Sequence, residues 1–243
     1  MHAESFSTGR VRSKRRERGL RRYLPGGWSD TTLPVNAFVL EHPLGLCVFD
    51  TGQTAAASRP GYHQRWHPFL WVSRFELEPE DELPRQLRAR GLDSSDVRWV
   101  VLSHLHTDHV GTLESFRGAE VIVSRTEWQR AQGPLGRMRG YIPHRWPAGL
   151  EAHLVEVDGP AVGPFTGSFD IAGDGSLLLV PTPAHTPGHL SMLAETHDGR
   201  VLLGGDLAHT HVELARTAPD IATWCAQEGV RVLLAHEVVE ERR

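Results

Sequence analysis

The sequence predicts an α+β protein whose mixed or antiparallel sheets carry helices on their outer faces. Two observations support this. Apolar stretches of strand length outnumber helical patterns, and several links between them are short enough for hairpins. The 243 residues suit one large domain, or two small halves sharing a core, and can bury a core without covalent staples. Periodicity alone leaves the order of the layers open.

The elements follow in order. Val35–Leu40 and Leu46–Phe49 read as strands joined through Pro43-Leu44-Gly45. Leu83–Arg90 reads as an amphipathic helix closed by Gly91. Val97–Leu102 is a run of β-formers with much of both faces buried, and it stops at Ser103. Glu120–Val123 is a short strand and Arg125–Ala131 a helix. Further strands are expected at Leu154–Val157, Gly167–Ile171, Leu177–Val180, Leu190–Ala194, Arg200–Leu203 and Val230–Leu234, with a helix at Pro219–Glu228. Ser58–Phe75 and Gly133–Leu150 fit no regular pattern. They are too aromatic for solvated linkers and read as a satellite core or a pocket wall.

Composition excludes several classes. A net charge of −4 gives no reason to expect a polyanionic partner, and no apolar run is long enough to span a bilayer. Residues 1–22 form a basic arm, with Arg10, Arg12, Lys14, Arg15, Arg16, Arg18, Arg21 and Arg22 opposed only by Glu4 and Glu17. No apolar stretch follows, as a signal peptide requires, and no aromatic interleaves the charges, as a nucleic-acid arm would. A flexible leader or an edge strand is expected instead, with the rest of the chain, 23–243, as one catalytic domain. Cys47 and Cys225 lie in apolar runs and read as buried hydrophobes, so a cytoplasmic location is expected.

Histidine is the outlier, with 15 residues in clusters. The densest is Ser103-His104-Leu105-His106-Thr107-Asp108-His109. Residues two apart on extended chain face the same side, so His104 and His106 can grip one ion, while Asp108 and His109 address a second point after the turn. Neutral imidazole and carboxylate suit zinc and similar divalent metals. Such a pattern arises by accident in about three of a thousand chains of this composition. Burying these rings without partners would cost several kcal/mol. Three further ligand candidates each stand where an apolar strand stops: His185, Asp206 after Gly204-Gly205, and His236.

The series Asp50-Thr51-Gly52, His104-x-His106-x-Asp108-His109, His185, Asp206 and His236 resembles the metallo-β-lactamase fold superfamily, from about Leu33 to His236. The resemblance implies an αββα sandwich with a site for two divalent ions, zinc by expectation, at one edge. By position, His104, His106 and His185 would hold one ion and Asp108, His109 and His236 the other. Asp206 would bridge them, and Asp50 would orient the histidine loop. His189 resembles a structural position rather than a ligand.

Within the superfamily the chain is most similar to the N-acyl-homoserine lactonases, through Leu33-Pro34-Val35, Ser124-Arg125-Thr126-Glu127-Trp128 and the ending around His236. That group commonly has a tyrosine three residues after the bridging aspartate, against the substrate carbonyl. Here the position is His209, expected to donate the equivalent hydrogen bond. The resemblance implies opening of an amphiphilic lactone, with Asp108 carrying a proton to the leaving alkoxide. Tyr62, Trp66, Phe69 and Trp71 are expected to line an acyl-chain channel. Other ester or thioester hydrolysis, of the glyoxalase II kind, and a non-hydrolytic metal-binding role are the alternatives. Neither a nucleic acid nor a membrane is an expected partner, and a homodimer is one option for assembly.

Overall fold

The computed structural model describes residues 1–16, 25–63, 69–133 and 135–239. The first sheet has eight strands. They are β1 (His2–Arg16), β2 (Pro25–Trp28), β3 (Leu33–His42), β4 (Gly45–Phe49), β5 (Ser73–Glu76), β6 (Val97–Val101), β7 (Glu120–Ser124) and β8 (Ala152–Val155). Their order is β2-β1-β3-β4-β6-β7-β8, with β5 also paired to β1. Pairing is antiparallel from β1 through β4 and parallel from β4 to β8. The second sheet holds β9 (Phe169–Asp170), β10 (Leu177–Pro181), β11 (Leu190–Thr196), β12 (Gly199–Gly205) and β13 (Arg231–Leu234), in the order β13-β12-β11-β10-β9. Only its β12–β13 pair is parallel. Both sheets are therefore mixed.

Strand alternation builds the layers. Phe38, Leu40, Cys47, Phe49, Trp99 and Val101 face Leu177, Leu179, Met192, Val201 and Leu203, forming the core between the sheets. Ala37, Val39, Val48 and Val100 point the other way, onto Leu83 and Leu87 of the helix α2 (Leu83–Ala89). On the far side, Val180, Leu193, Leu202 and Val232 pack under Leu214 of α4 (His211–Thr217) and Cys225 of α5 (Pro219–Gln227). Helix, sheet, sheet, helix is the αββα sandwich. Two further helices, α1 (Phe69–Val72) and α3 (Arg125–Gln132), complete the set. Among the described residues no helix is long and apolar enough to cross a membrane. The two cysteines are free and buried in different layers, Cys47 between the sheets and Cys225 under α5.

Several elements depart from the sequence reading. The basic stretch is not separate from the fold as far as it is described. His2–Arg16 is the longest strand, with Phe6 and Thr8 buried while Ser7 and Arg10 face out. Its basic residues find acidic and aromatic neighbours: Arg12 reaches Glu76 at 3.1 Å, and Lys14 lies over the Trp28 ring, as does Arg74 of β5. The remainder of the arm, 17–22, lies outside the described residues. The irregular Ser58–Phe75 segment contains α1 and the start of β5. The strand expected at Leu154–Val157 lies two residues earlier, because Ala152–Val155 is the stretch in register with β7. The sequence reading missed α4, whose short pattern buries only Leu214.

One contact ties β1 to the loop that follows β4. Thr8 donates its hydroxyl to the Val35 carbonyl at 2.9 Å and accepts the Gln53 N–H at 3.3 Å. Gly52 sits against it at φ +64, and a Cβ there would come within 2.1 Å of the Thr8 hydroxyl. Gly61, at φ +88, has open space around it. Gly52→Ala should therefore lower the unfolding free energy by about 2–5 kcal/mol, from left-handed strain plus overpacking. Gly61→Ala should lower it by only about 1–2 kcal/mol. Urea denaturation of the two variants side by side checks this, and equal losses would contradict the packing argument.

Candidate metal centre

The site lies where strands of both sheets end. β6 stops at Val101, and the next residues turn into the histidine loop. The loop hangs on Asp50, a fully buried residue with φ 61 at the end of β4. Its Oδ1 accepts the Ser103 N–H at 2.8 Å. Its Oδ2 accepts the Ser103 hydroxyl and the His109 Nδ1–H, each at 2.7 Å. The loop closes on the neighbouring turn through Thr51 N–H to the His109 carbonyl and Gly111 N–H to the Gly52 carbonyl, both 2.8 Å. The second sheet joins through the Leu190 N–H, donated to the Ser103 carbonyl at 2.9 Å. Gly205, at φ +53, lets the end of β12 approach, since a Cβ there would lie 2.8 Å from that of Ser103.

Two groups of donors result. In the first, His106 Nδ1 lies 3.1 Å from His104 Nε2 and 2.9 Å from His185 Nε2. His106 Nε2–H donates to the Arg139 carbonyl at 2.9 Å, which turns Nδ1 toward the other two rings. In the second, His236 donates Nδ1–H to the Pro34 carbonyl at 2.8 Å. Its Nε2 lies 3.7 Å from Asp108 Oδ2 and 3.2 Å from Asp206 Oδ1. Asp206 reaches both groups, with Oδ1 3.3 Å from His109 Nε2 and Oδ2 3.5 Å from His185 Nε2. All seven residues expected as ligands are brought together, in the trios His104/His106/His185 and Asp108/His109/His236, with Asp206 in a third group alongside His104 and His109. His209 joins Asp206 and His236 in a fourth.

Charge decides what this arrangement needs. Burial alone would raise the Asp206 carboxyl, but His236 and His109 outweigh it and hold the group well below the usual range. Burial likewise opposes a charge on His236, yet Asp206 and Asp108 carry it up to about 9. His109, between Asp206 and Asp50, is also raised well above its ordinary value against the pull of burial. In the other trio, burial and neighbouring rings push His104 well down and His106 to about 4. The site thus gathers neutral imidazole nitrogens on one side and demands positive charge on the other. His109 Nε2 and Asp206 Oδ1 are sealed from solvent and, though 3.3 Å apart, make no hydrogen bond of good geometry. Orphaned buried donors of this chemistry fit divalent metal ions.

His189 is a supporting residue. Its Nδ1 pairs with the Thr182 hydroxyl at 2.8 Å, and its Nε2 accepts the Asp206 N–H at 3.0 Å. His209 stands at the open edge of the centre, beside Asp206 and His236. Its Nδ1 contacts Glu213 Oε2 at 3.2 Å, and since a carboxylate only accepts, Nδ1 carries the proton. Of the expected aromatic channel, Trp66 and the Phe69 side chain lie outside the described residues. Trp71 is 60% exposed, and Tyr62 hydrogen-bonds Thr107 in the histidine loop.

The sequence reading missed several supporting groups. Ser103 and the Pro34 and Arg139 carbonyls carry no signal of their own. Glu127 is fully buried and accepts the Leu105 N–H at 3.2 Å, between the two histidines. The sequence marked Glu127 only as part of Ser124-Arg125-Thr126-Glu127-Trp128, with nothing to assign it this hydrogen bond.

Fold and site together define a class. A family model described as the metallo-beta-lactamase superfamily matches residues 30–231, and the chain belongs to that superfamily. Among curated relatives, the N-acyl homoserine lactonase AttM of Agrobacterium fabrum is 30% identical over 236 residues, covering 87% of this chain and 85% of its own length. A solved quorum-quenching N-acyl homoserine lactone hydrolase superposes with a TM-score of 0.71 at 22% identity, over 97% of this chain and 92% of that one. AidC, a dizinc quorum-quenching lactonase, superposes with a TM-score of 0.63 at 16% identity, over 97% and 87%. At these identities the two structures speak to the fold.

Burial pushes the His189 ring down to about 3 from 6.5, with Asp206 offsetting only part of it. The unfolded ring takes up a proton below about 6.5 that the folded ring refuses until about 3. His189 therefore detracts nothing above that window, and stability is lost as pH falls through it, at up to about 1.4 kcal/mol per pH unit. Urea melts of metal-free protein at stepped pH should show this decline, and His189→Gln should flatten it by one proton. Identical slopes would contradict the assignment.

Proposed function

We propose that the protein is a dinuclear metal hydrolase that opens the ester ring of an N-acyl-homoserine lactone. The observation that carries this reading is the convergence of six donor residues, from the ends of both sheets, around a seventh, the buried carboxylate of Asp206. Relationship to the AttM lactonase at 30% identity over most of both chains supports the substrate class.

In this reading His104, His106 and His185 would hold one divalent ion, zinc by expectation, Asp108, His109 and His236 would hold a second, and Asp206 would serve both. When bound, such a pair supplies Lewis acidity and lowers the pKa of a water toward 7, giving a nucleophile at neutral pH. The chain's own residues do the rest. Asp50 and Ser103 fix the histidine loop, so the donors are held before substrate arrives. As water adds to the lactone carbonyl, Asp108, 6% exposed, would take the proton it releases and pass it to the alkoxide when the ring C–O bond breaks, giving an N-acyl-homoserine. Tyr62 and Trp71, the members of the expected aromatic set whose side chains are described, would bear on the acyl chain.

The test is hydrolysis of N-acyl-homoserine lactones of graded chain length, followed by acid release, with metal-stripped protein as control. Turnover should return on adding zinc. Asp108→Asn should lower kcat by about 10²–10⁴-fold, the range for a lost proton carrier, and His106→Ala should abolish metal-dependent turnover. Full activity in His106→Ala, or after stripping, would sink the proposal. Bound metal without lactone turnover would redirect the activity to thioesters or simple esters.

A further inference from the structure

The Asp206–His236 side of the centre has one more donor than that reading uses. His209 lies between β12 and α4, and one of its ring nitrogens falls within 4.8 Å of donor atoms of both Asp206 and His236. Its ring centroid is 5.3 Å from that of His236 and 6.4 Å from that of His185. It is the open member of the group, with its side chain 44% exposed against 5% for Asp206 and 4% for His236.

The ring is oriented from behind. Thr210 caps α4 by accepting the Glu213 N–H at 3.1 Å, which places Glu213 in the first helical turn. From there its Oε2 accepts the His209 backbone N–H at 3.0 Å and meets the same residue's Nδ1 at 3.2 Å. Backbone and ring are thus held by one carboxylate oxygen. The Nδ1–H points at Glu213, so Nε2 keeps its lone pair. A carboxylate behind an imidazole whose other nitrogen carries a lone pair is the arrangement that orients metal-bound histidines and raises their basicity. An ordinary surface ion pair four residues apart along a helix would not also place the ring beside two buried donors.

We propose that His209 is an additional metal-ligating residue, binding through Nε2 the ion held by His236 and Asp206, with Glu213 as its orienting carboxylate. This rests on the dinuclear reading above. His209 then belongs to the metal rather than to the substrate carbonyl, and the second ion gains a ligand on its solvent side.

The experiment compares metal-stripped wild-type protein, His209→Phe and Glu213→Gln. Zinc affinity is measured by competition with a chromophoric chelator, and substrate-free cobalt(II) absorption reports the ligand field. Wild-type protein should take up two ions per chain. His209→Phe should weaken one of the two ions by about 10–100-fold and change the cobalt spectrum, with the other ion unaffected. Glu213→Gln, which keeps an acceptor but removes its charge, should weaken the same ion by about 10-fold. Circular dichroism of the metal-free variants checks that both are folded. Unchanged affinities and spectra in both variants overturn the proposal, even if lactone turnover changes, since a residue touching only substrate behaves that way. Wild-type protein that takes up no ion overturns the dinuclear reading and this one with it, so the two failures are told apart.

Discussion

Asp206 is a carboxylate buried between two sheets, and the structure around it is arranged to meet the charge it requires. A carboxylate at 7% exposure needs partners of opposite sign or loses its ionisation. His109 and His236 meet that need with protons at a distance of 3.2–3.3 Å, which is why both rings are raised while the rings of His104 and His106 are lowered. A divalent cation satisfies the same demand more directly and also takes up the lone pairs of the neutral trio. The opposing shifts across one cluster are the electrostatic imprint of a metal site.

The fold exists, in functional terms, to bring strand ends together. β6 delivers the histidine loop from one sheet, while β10, β12 and β13 deliver His185, Asp206 and His236 from the other. Neither sheet supplies a complete site. The inter-sheet core, from Phe38 and Trp99 to Met192 and Leu203, fixes their relative position, and Asp50 pins the loop at the seam. Even β1 contributes, since Thr8 packs against Gly52 two residues beyond Asp50.

The site was more legible in the sequence than the fold's periphery was. Its candidate donors crowd into six residues or stand at the ends of apolar strands, so local spacing pointed to them. β1 was legible only as an alternative to a flexible leader, because basic residues crowd its second half and the register shift between Ser7 and Arg10 interrupts its alternation. α4 was hidden because one buried leucine in seven residues makes no pattern. The contact of His209 Nδ1 with Glu213 could not be read from position. That pairing follows from the cap at Thr210, a feature of the folded turn.

The most direct measurement is an anomalous difference map at the zinc edge from crystals of the zinc-loaded protein. The account predicts two peaks per chain, one among His104, His106 and His185 and the other among Asp108, His109 and His236, with Asp206 touching both. A single peak, or peaks elsewhere on the molecule, would contradict it.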